Sequence, residues 1–129
     1  IEPVQCEVSY VNQIPRGEGW KTAAELGSVF TILDRTSLFG YAPALEDVNF
    51  SFQFPMAEDR GRLRVKSEPA IRNLDGIEVQ QLTVTAKGEP RDGETSSILE
   101  WLDFGRENVV REFASITSPA MHLLWERVQ

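Results

Sequence analysis

The chain has 129 residues, of which 41% are hydrophobic, and a formal net charge of −7 at pH 7. This length suits one domain with its own core. The negative charge disfavours nucleic acid and anionic lipid as partners, because it repels both at long range. No run approaches the roughly 18 apolar residues of a membrane span. The single Cys6 cannot form an internal disulfide, which indicates a reducing, cytoplasmic compartment.

The first predicted element is a β-strand over residues 4–14, where apolar and polar side chains alternate. Val11 breaks this alternation, which predicts a β-bulge near residues 10–12. Thr22 is a suitable cap for a short helix that follows. Residues 33–46 have no clean periodicity and are predicted to form a loop.

Three further strands are predicted over residues 48–54, 62–66 and 77–87, joined by hairpin turns and therefore antiparallel. In the last of them the apolar positions change parity near Gln80 and Gln81, which predicts a second bulge. The middle strand presents a row of basic side chains. These are Arg62, Arg64 and Lys66.

The last third of the chain predicts a long amphipathic helix over residues 96–116. A second short helix begins at Ser118 and Pro119, because serine caps a helix and proline suits its first turn. Gly105 costs about 1 kcal/mol relative to alanine inside a helix, which indicates that a strand or a partner approaches there. The buried stripe is predicted to contain Ile98, Leu99, Leu102, Val109, Val110, Phe113 and Ile116.

The element order is β-α-β-β-β-α, which predicts a single α+β domain over residues 1–129. We expect a four-stranded, mainly antiparallel, curved sheet with a long, kinked C-terminal helix packed on one face. The place of the first strand in the sheet is left open by the sequence.

A polar cluster on the long helix is the main candidate for a ligand or partner surface. It contains Asp103, Arg106, Glu107 and Arg111, to which His122 on the last helix is added. The alternative is a solvated helix face on which Glu107 and Arg111 form an i, i+4 ion pair. The basic row on the third strand has the same two interpretations, an anion site or a solvated sheet face.

Motifs for catalysis, metals and cofactors are missing from the sequence. No glycine-rich phosphate loop is present, and the only histidine, His122, has no second histidine or cysteine nearby in sequence. Cys6 occupies an inward strand position, where an inert thiol is the common case. We therefore predict no cofactor and no metal.

The order of residues resembles the C-terminal portion of a sporadically distributed bacterial protein family that has no assigned activity. The resemblance covers the whole chain and is most specific in the ending, from Leu99 through Trp125. It implies that a further region precedes Ile1. It also nominates a set of recurrent positions, Asp103, Gly105, Arg106, Glu107, Thr117, His122 and Trp125.

The leading functional hypothesis is a non-catalytic ligand-binding or protein-interaction module of a bacterial cytoplasmic protein. It would use the space between sheet and helix, or the polar face of the helix. One alternative is an enzyme or half-enzyme that draws on Asp103, Arg106, Glu107 and His122, completed by a preceding region. Another is a structural domain that forms a homodimer through its first strand or through the flank of Trp101 and Phe104.

Overall fold

The computed structural model describes residues 4–31 and 45–128 of the chain. Most of the predicted loop over 33–46 lies outside the described residues. The described strands and α-helices are β1 (Cys6–Pro15), β2 (Phe50–Pro55), β3 (Arg62–Ile71), β4 (Glu78–Gly88), α1 (Thr95–Ile116) and α2 (Pro119–Val128). Two short 3-10 helices lie at Ala23–Ser28 and Ala57–Asp59.

The four strands form one open antiparallel sheet in the order β1-β4-β3-β2, so the predicted α+β class and antiparallel sheet are confirmed. The two hairpins place β2 beside β3 and β3 beside β4, as the short turns require. β1 lies at the edge next to β4. A long connection from the first strand to the second makes this arrangement possible, because it does not tie β1 to β2.

Both predicted bulges are wrong, because the pairing of β1 with β4 and of β3 with β4 is uninterrupted. In β1, Val11 points to the outer side of the sheet and is 54% exposed, while Ile14 keeps the inward parity of Cys6. In β4, Gln80 occupies an inward position as a buried polar residue. Its side-chain amide donates to the carbonyl of Val48 at 2.9 Å and to the hydroxyl of Ser67 at 2.8 Å, so burial leaves these donors paired.

One face of the sheet, the inner face, carries the core and is covered by α1, which packs on β1 and β4. The inward side chains in the middle of the two central strands are buried. They include Leu63, Val65, Leu82, Val84 and Ala86.

Trp101 fixes how α1 lies on the sheet. Its side chain is fully buried, and its indole N–H donates to the carbonyl of Arg60 at 2.8 Å. The ring lies against two glycines: a Cβ atom added at Gly88 or at Gly105 would come within 2.9 Å of it. Such distances are shorter than real contacts, so both positions need glycine to admit the indole. The strand approach predicted at Gly105 is made by Val8 of β1, 3.3 Å from a Cβ added there, and the Trp101 ring of the same helix covers the position as well.

The buried stripe of α1 differs from the predicted one at three positions. Leu99 and Val110 are 58% and 54% exposed, whereas Trp101 lies at the centre of the contact with the sheet. The rotation follows from the small residue at 105, because a large ring fits where the helix comes closest to the strands. Phe104, which we placed with Trp101 on a flank, packs edge-on against that ring.

The break between the two helices is confirmed. Thr117 has an extended backbone, with φ −91° and ψ 145°, and the Ser118 hydroxyl accepts the N–H of Met121 at 3.2 Å as an N-cap. The same hydroxyl donates to the carbonyl of Ser28, and the Ser118 N–H donates to that of Val29 at 2.7 Å. The junction is therefore fixed to the C-terminal end of the first 3-10 helix.

Gly105→Ala should destabilise the protein although alanine favours helices. Overpacking against Trp101 costs about 1–3 kcal/mol, while the helix propensity returns at most about 1 kcal/mol. We expect a net loss of about 1 kcal/mol in the free energy of unfolding, measured by denaturant titration. Gly93→Ala is the control, since a Cβ there meets only Val4 at 3.9 Å. Equal stability of both variants would contradict the close packing.

The turn between β3 and β4 contains an ion pair that lowers the pKa of Asp75. The Arg72 guanidinium donates two hydrogen bonds to this carboxylate, at 3.1 and 2.7 Å, and the Ile77 N–H donates a third at 3.2 Å. The bond from Arg72 is the main cause of the lowered pKa.

Because its pKa is lowered in the folded state, ionised Asp75 favours folding. This contribution is present above the ordinary carboxyl pKa of about 3.9 and is lost as the pH falls through the lower folded value. An NMR titration of the Asp75 carboxyl should show the lowered pKa, and Arg72→Gln should return it towards 3.9. An unchanged value in that variant would assign the shift to another group.

Candidate functional site

The predicted surface on α1 is open to solvent. Asp103, Arg106, Glu107 and Arg111 are all exposed, and the predicted ion pair between Glu107 and Arg111 is not formed. The space between α1 and the sheet is filled by the core. Three clefts bounded by described residues contain no side chain from α1.

His122 lies apart from that cluster. Its Nε2 is 2.7 Å from the hydroxyl of Thr117, which donates its own proton to the carbonyl of Phe113 at 2.7 Å. The hydroxyl oxygen therefore accepts a hydrogen bond from Nε2–H, which requires the imidazole to carry a proton on Nε2. Thr117 is ten residues beyond Glu107, which corresponds to about 15 Å of helix. The structure thus brings the three α1 residues of the enzyme hypothesis together on one surface, but not His122.

The family resemblance also nominated Thr117 and Trp125, and packing contacts account for both residues. Thr117 is buried at the junction and forms a β-bridge with Phe30. Trp125 stacks on Phe113, with ring centroids 5.6 Å apart, and its indole N–H donates to Glu18 at 3.0 Å. These bonds fasten α2 to the rest of the domain.

Thr117→Val tests whether the hydroxyl holds this junction. It removes both hydrogen bonds at nearly constant shape, so we expect a loss of about 1 kcal/mol in the free energy of unfolding. Nitrogen NMR of the imidazole should also show a changed tautomer ratio at His122. Thr83→Val on the outer side of β4 makes the same chemical change and should leave both readings unaltered. A stable variant with an unchanged imidazole would contradict the assigned role.

The strongest polar arrangement lies on the other face of the sheet, which we call the outer sheet face. The strand register brings its side chains into rows across the strands. All of them are exposed or half-exposed. They are Glu7, Ser9, Val11 and Gln13 on β1, Gln81, Thr83, Thr85 and Lys87 on β4, Arg62, Arg64, Lys66 and Glu68 on β3, and Ser51 and Gln53 on β2.

A concavity of about 480 Å³ lies at one end of this face. Its lining comes from all four strands and from the residue before β1, and most of it can donate hydrogen bonds. The lining residues are Gln5, Glu7, Gln53, Arg62, Arg64, Thr85 and Lys87. We call Arg62, Arg64 and Lys87 the basic cluster.

The basic cluster concentrates positive charge on an acidic protein. Lys87 and Arg62 are directly opposite each other in the register, and like charges at such positions are unfavourable. Arg62 forms an exposed ion pair with Asp59 at 3.0 Å, and Arg64 donates to the Gln53 side chain at 3.4 Å. Glu7 bounds the cluster on the β1 side, opposite Lys87.

A second cleft, of about 320 Å³, lies between the segment after β1 and the ends of β3 and β4. Its floor is apolar and includes Trp20, Leu26 and Val79. Arg16 lies over the Trp20 ring, 5.3 Å from its centroid, and is paired with Glu78 at 2.6 Å. Its lining contains one cation, Arg16, and the carboxylates of Glu46, Asp47 and Glu78, so this cleft is a weaker candidate for binding an anion.

Arg62 and Arg64 were recognised in the sequence, whereas Lys87, Thr85 and Gln53 were not. These three lie on outward positions of strands that the alternation had predicted correctly. The missing information was which strands are neighbours and in what register, and the register alone brings the five side chains together.

The described part of the chain contains no group of His, Cys, Asp and Glu that could hold a metal ion. Across residues 4–31 and 45–128, no helix combines the length and apolar character needed to cross a membrane. Comparison with protein-family models, with curated proteins and with solved structures yields no match to this chain.

Proposed function

We propose that this chain is a non-catalytic binding module that takes a small, multiply charged anion on its outer sheet face. The observation that carries the proposal is the basic cluster, in which Arg62, Arg64 and Lys87 line one concavity with the donor Thr85. A phosphate ester or a polycarboxylate has the matching charge and acceptor oxygens. Arginine suits such oxygens because its planar guanidinium donates two parallel hydrogen bonds.

The size of the site and the charge of the chain favour a small anion over a polyanion. A volume of about 480 Å³ lies within the usual range of small-ligand sites, about 300–1,000 Å³. The net charge of −7 repels an extended polyanion at every approach. A small anion is exposed mainly to the local field, which within the concavity comes from three cations and the single carboxylate Glu7.

The cations can be released to a ligand at low cost. The ion pair of Arg62 with Asp59 is solvent-exposed, with side chains 50% and 83% accessible, and such pairs contribute little to stability. Arg64 has a neutral partner, the Gln53 amide oxygen, which a charged oxygen can replace with a stronger bond. An anion between Lys87 and Arg62 would also offset their mutual repulsion.

The lining supports binding rather than a reaction, because its main groups donate hydrogen bonds and carry positive charge. Arg62, Arg64 and Lys87 stabilise charge and are not proton acceptors, and the single carboxylate of the lining, Glu7, lies opposite Lys87. A rigid sheet also holds their backbones at fixed spacing, which favours a defined ligand geometry. The proposal therefore retains the hypothesis of a binding module but assigns its ligand to the outer sheet face instead of to the polar face of α1.

The test is an NMR titration of the chain with pyrophosphate as the probe. We expect saturable shifts confined to residues around the concavity, and Arg64→Gln should weaken binding about ten- to a hundredfold, because a charge-assisted hydrogen bond contributes about 1.5–3 kcal/mol. Arg106→Gln is the matched control, since it removes the same charge from the exposed face of α1.

Two results would overturn the proposal. One is the absence of saturable shifts at the outer sheet face. The other is an equal loss of binding in the Arg64→Gln and Arg106→Gln variants, which would show that the probe responds to total charge and not to the basic cluster. A retained melting temperature in both variants ensures that folding is not the cause.

A further inference from the structure

The outer edge of β1 has no pairing partner in the described part of the chain. β1 lies at the end of the sheet order and pairs only with β4. Its ten residues present an edge of about 33 Å. A sheet edge of this length carries a row of backbone donors and acceptors that can pair with another strand.

The register shows which backbone groups point outwards. The Arg16 N–H donates to the carbonyl of Glu78, its opposite residue on the β4 side, at 2.9 Å. In an antiparallel pair, residues that exchange hydrogen bonds alternate with residues that do not. The backbone N–H and C=O groups of even-numbered β1 residues therefore point to β4, and those of odd-numbered residues point to the free edge of the sheet. Pro15 agrees with this, since its missing N–H falls on the outward side.

The edge lacks the usual protection against pairing. Edge strands are commonly blunted by lysine, by proline in the middle, or by bulges. β1 has no lysine, its proline is its last residue, and its pairing with β4 is unbroken. Its centre is apolar instead: Tyr10 is 43% exposed and its neighbour Val11 is exposed as well.

Apolar surface continues from the edge onto α1. The Tyr10 ring contacts Phe113, with centroids 4.7 Å apart. Val110, three residues before Phe113 and adjacent to it on the helix surface, is also exposed. A second strand laid along β1 would cover Tyr10 and bring its own helix towards Val110.

We propose that a second copy of this chain pairs with β1, edge to edge and antiparallel, with the two-fold axis passing beside Tyr10. Tyr10 then lies opposite Tyr10 of the second copy. The outward-bonding residues from Glu7 to Gln13 match each other: Glu7 pairs with the second copy's Gln13, and Ser9 with its Val11. An eight-stranded sheet results, with both copies of α1 on the same side.

The sequence pattern selects this register. Inward residues must lie opposite inward residues, which excludes shifts by an odd number of residues, because these would set the inner face of one copy against the outer face of the other. An axis beside Val11 would place Pro15, which has no N–H to donate, opposite Glu7 within the paired strands, whereas an axis beside Tyr10 leaves Pro15 opposite Gln5, before β1. With the axis beside Tyr10, no two charges of equal sign are opposite each other. The pairing is thus self-complementary, as a two-fold interface requires.

The dimer is independent of the proposed anion site. Pairing through β1 leaves the basic cluster exposed, because Arg62, Arg64 and Lys87 lie on β3 and β4. It joins two outer sheet faces into one continuous surface. Failure of the pyrophosphate titration would therefore leave the dimer standing, and the reverse also holds.

Cysteine cross-linking tests the interface and its register together. Under mild oxidation, Tyr10→Cys should give a disulfide-linked dimer, since opposite Cα atoms lie about 4.5 Å apart in such a pair. Val11→Cys is the matched control and should cross-link poorly, because Ser9 of the second copy lies opposite. Buried Cys6 is present in both variants. Cross-linking through position 11 and not position 10 would overturn the register.

Two measurements on the unmodified chain complete the test. Light scattering over a concentration series should give twice the chain mass, and a monomer at all concentrations would overturn the proposal. Hydrogen exchange should protect the N–H groups of Ser9, Val11 and Gln13 as well as those of the even-numbered residues. Fast exchange confined to these odd-numbered residues in the oligomer would show that another surface forms it.

Discussion

The fold depends on the contact between the Trp101 indole and the glycines at 88 and 105. This contact sets the rotation of α1, its distance from the sheet and the position of the β2–β3 turn, whose Arg60 carbonyl accepts the indole N–H. Arg60 in turn lies over the Phe104 ring, 4.1 Å from its centroid, and pairs with Glu100. Helix, turn and strand end are thus joined through one side chain. The core further along α1 follows from that placement.

The local parts of this architecture could be predicted from sequence, because short-range chemistry determines them. The alternation over Phe50–Pro55 and the Ser118–Pro119 helix start need no knowledge of the rest of the chain. The rotation of α1 was not predictable in the same way, since two apolar stripes compete and the contact at Gly105 decides between them. The bulge predicted near Gln80 was wrong because sequence alone does not distinguish a buried, hydrogen-bonded glutamine from one on the surface.

The candidate site shows the same limit at a larger scale. The helix residues Asp103, Arg106 and Glu107 were identifiable because helical spacing brings them together within one element. The basic cluster combines Arg62 and Lys87, which are neighbours only through the register of β3 with β4. The sequence did not predict the position of β1 in the sheet for a similar reason. A long connection follows β1, so β1 could pair at either edge of the sheet.

The attachment of α2 has a consequence for the order in which the chain folds. Trp125 bonds Glu18 across a separation of 107 residues, and Ser118 bonds Ser28 across 90. β1 likewise pairs with β4, which follows it by some 70 positions. Contacts of such high order close large loops before they return any stability, and they slow folding. During synthesis, β1 therefore cannot complete its pairing until β4 has emerged, and residues 18–28 cannot be held in place until α2 has followed.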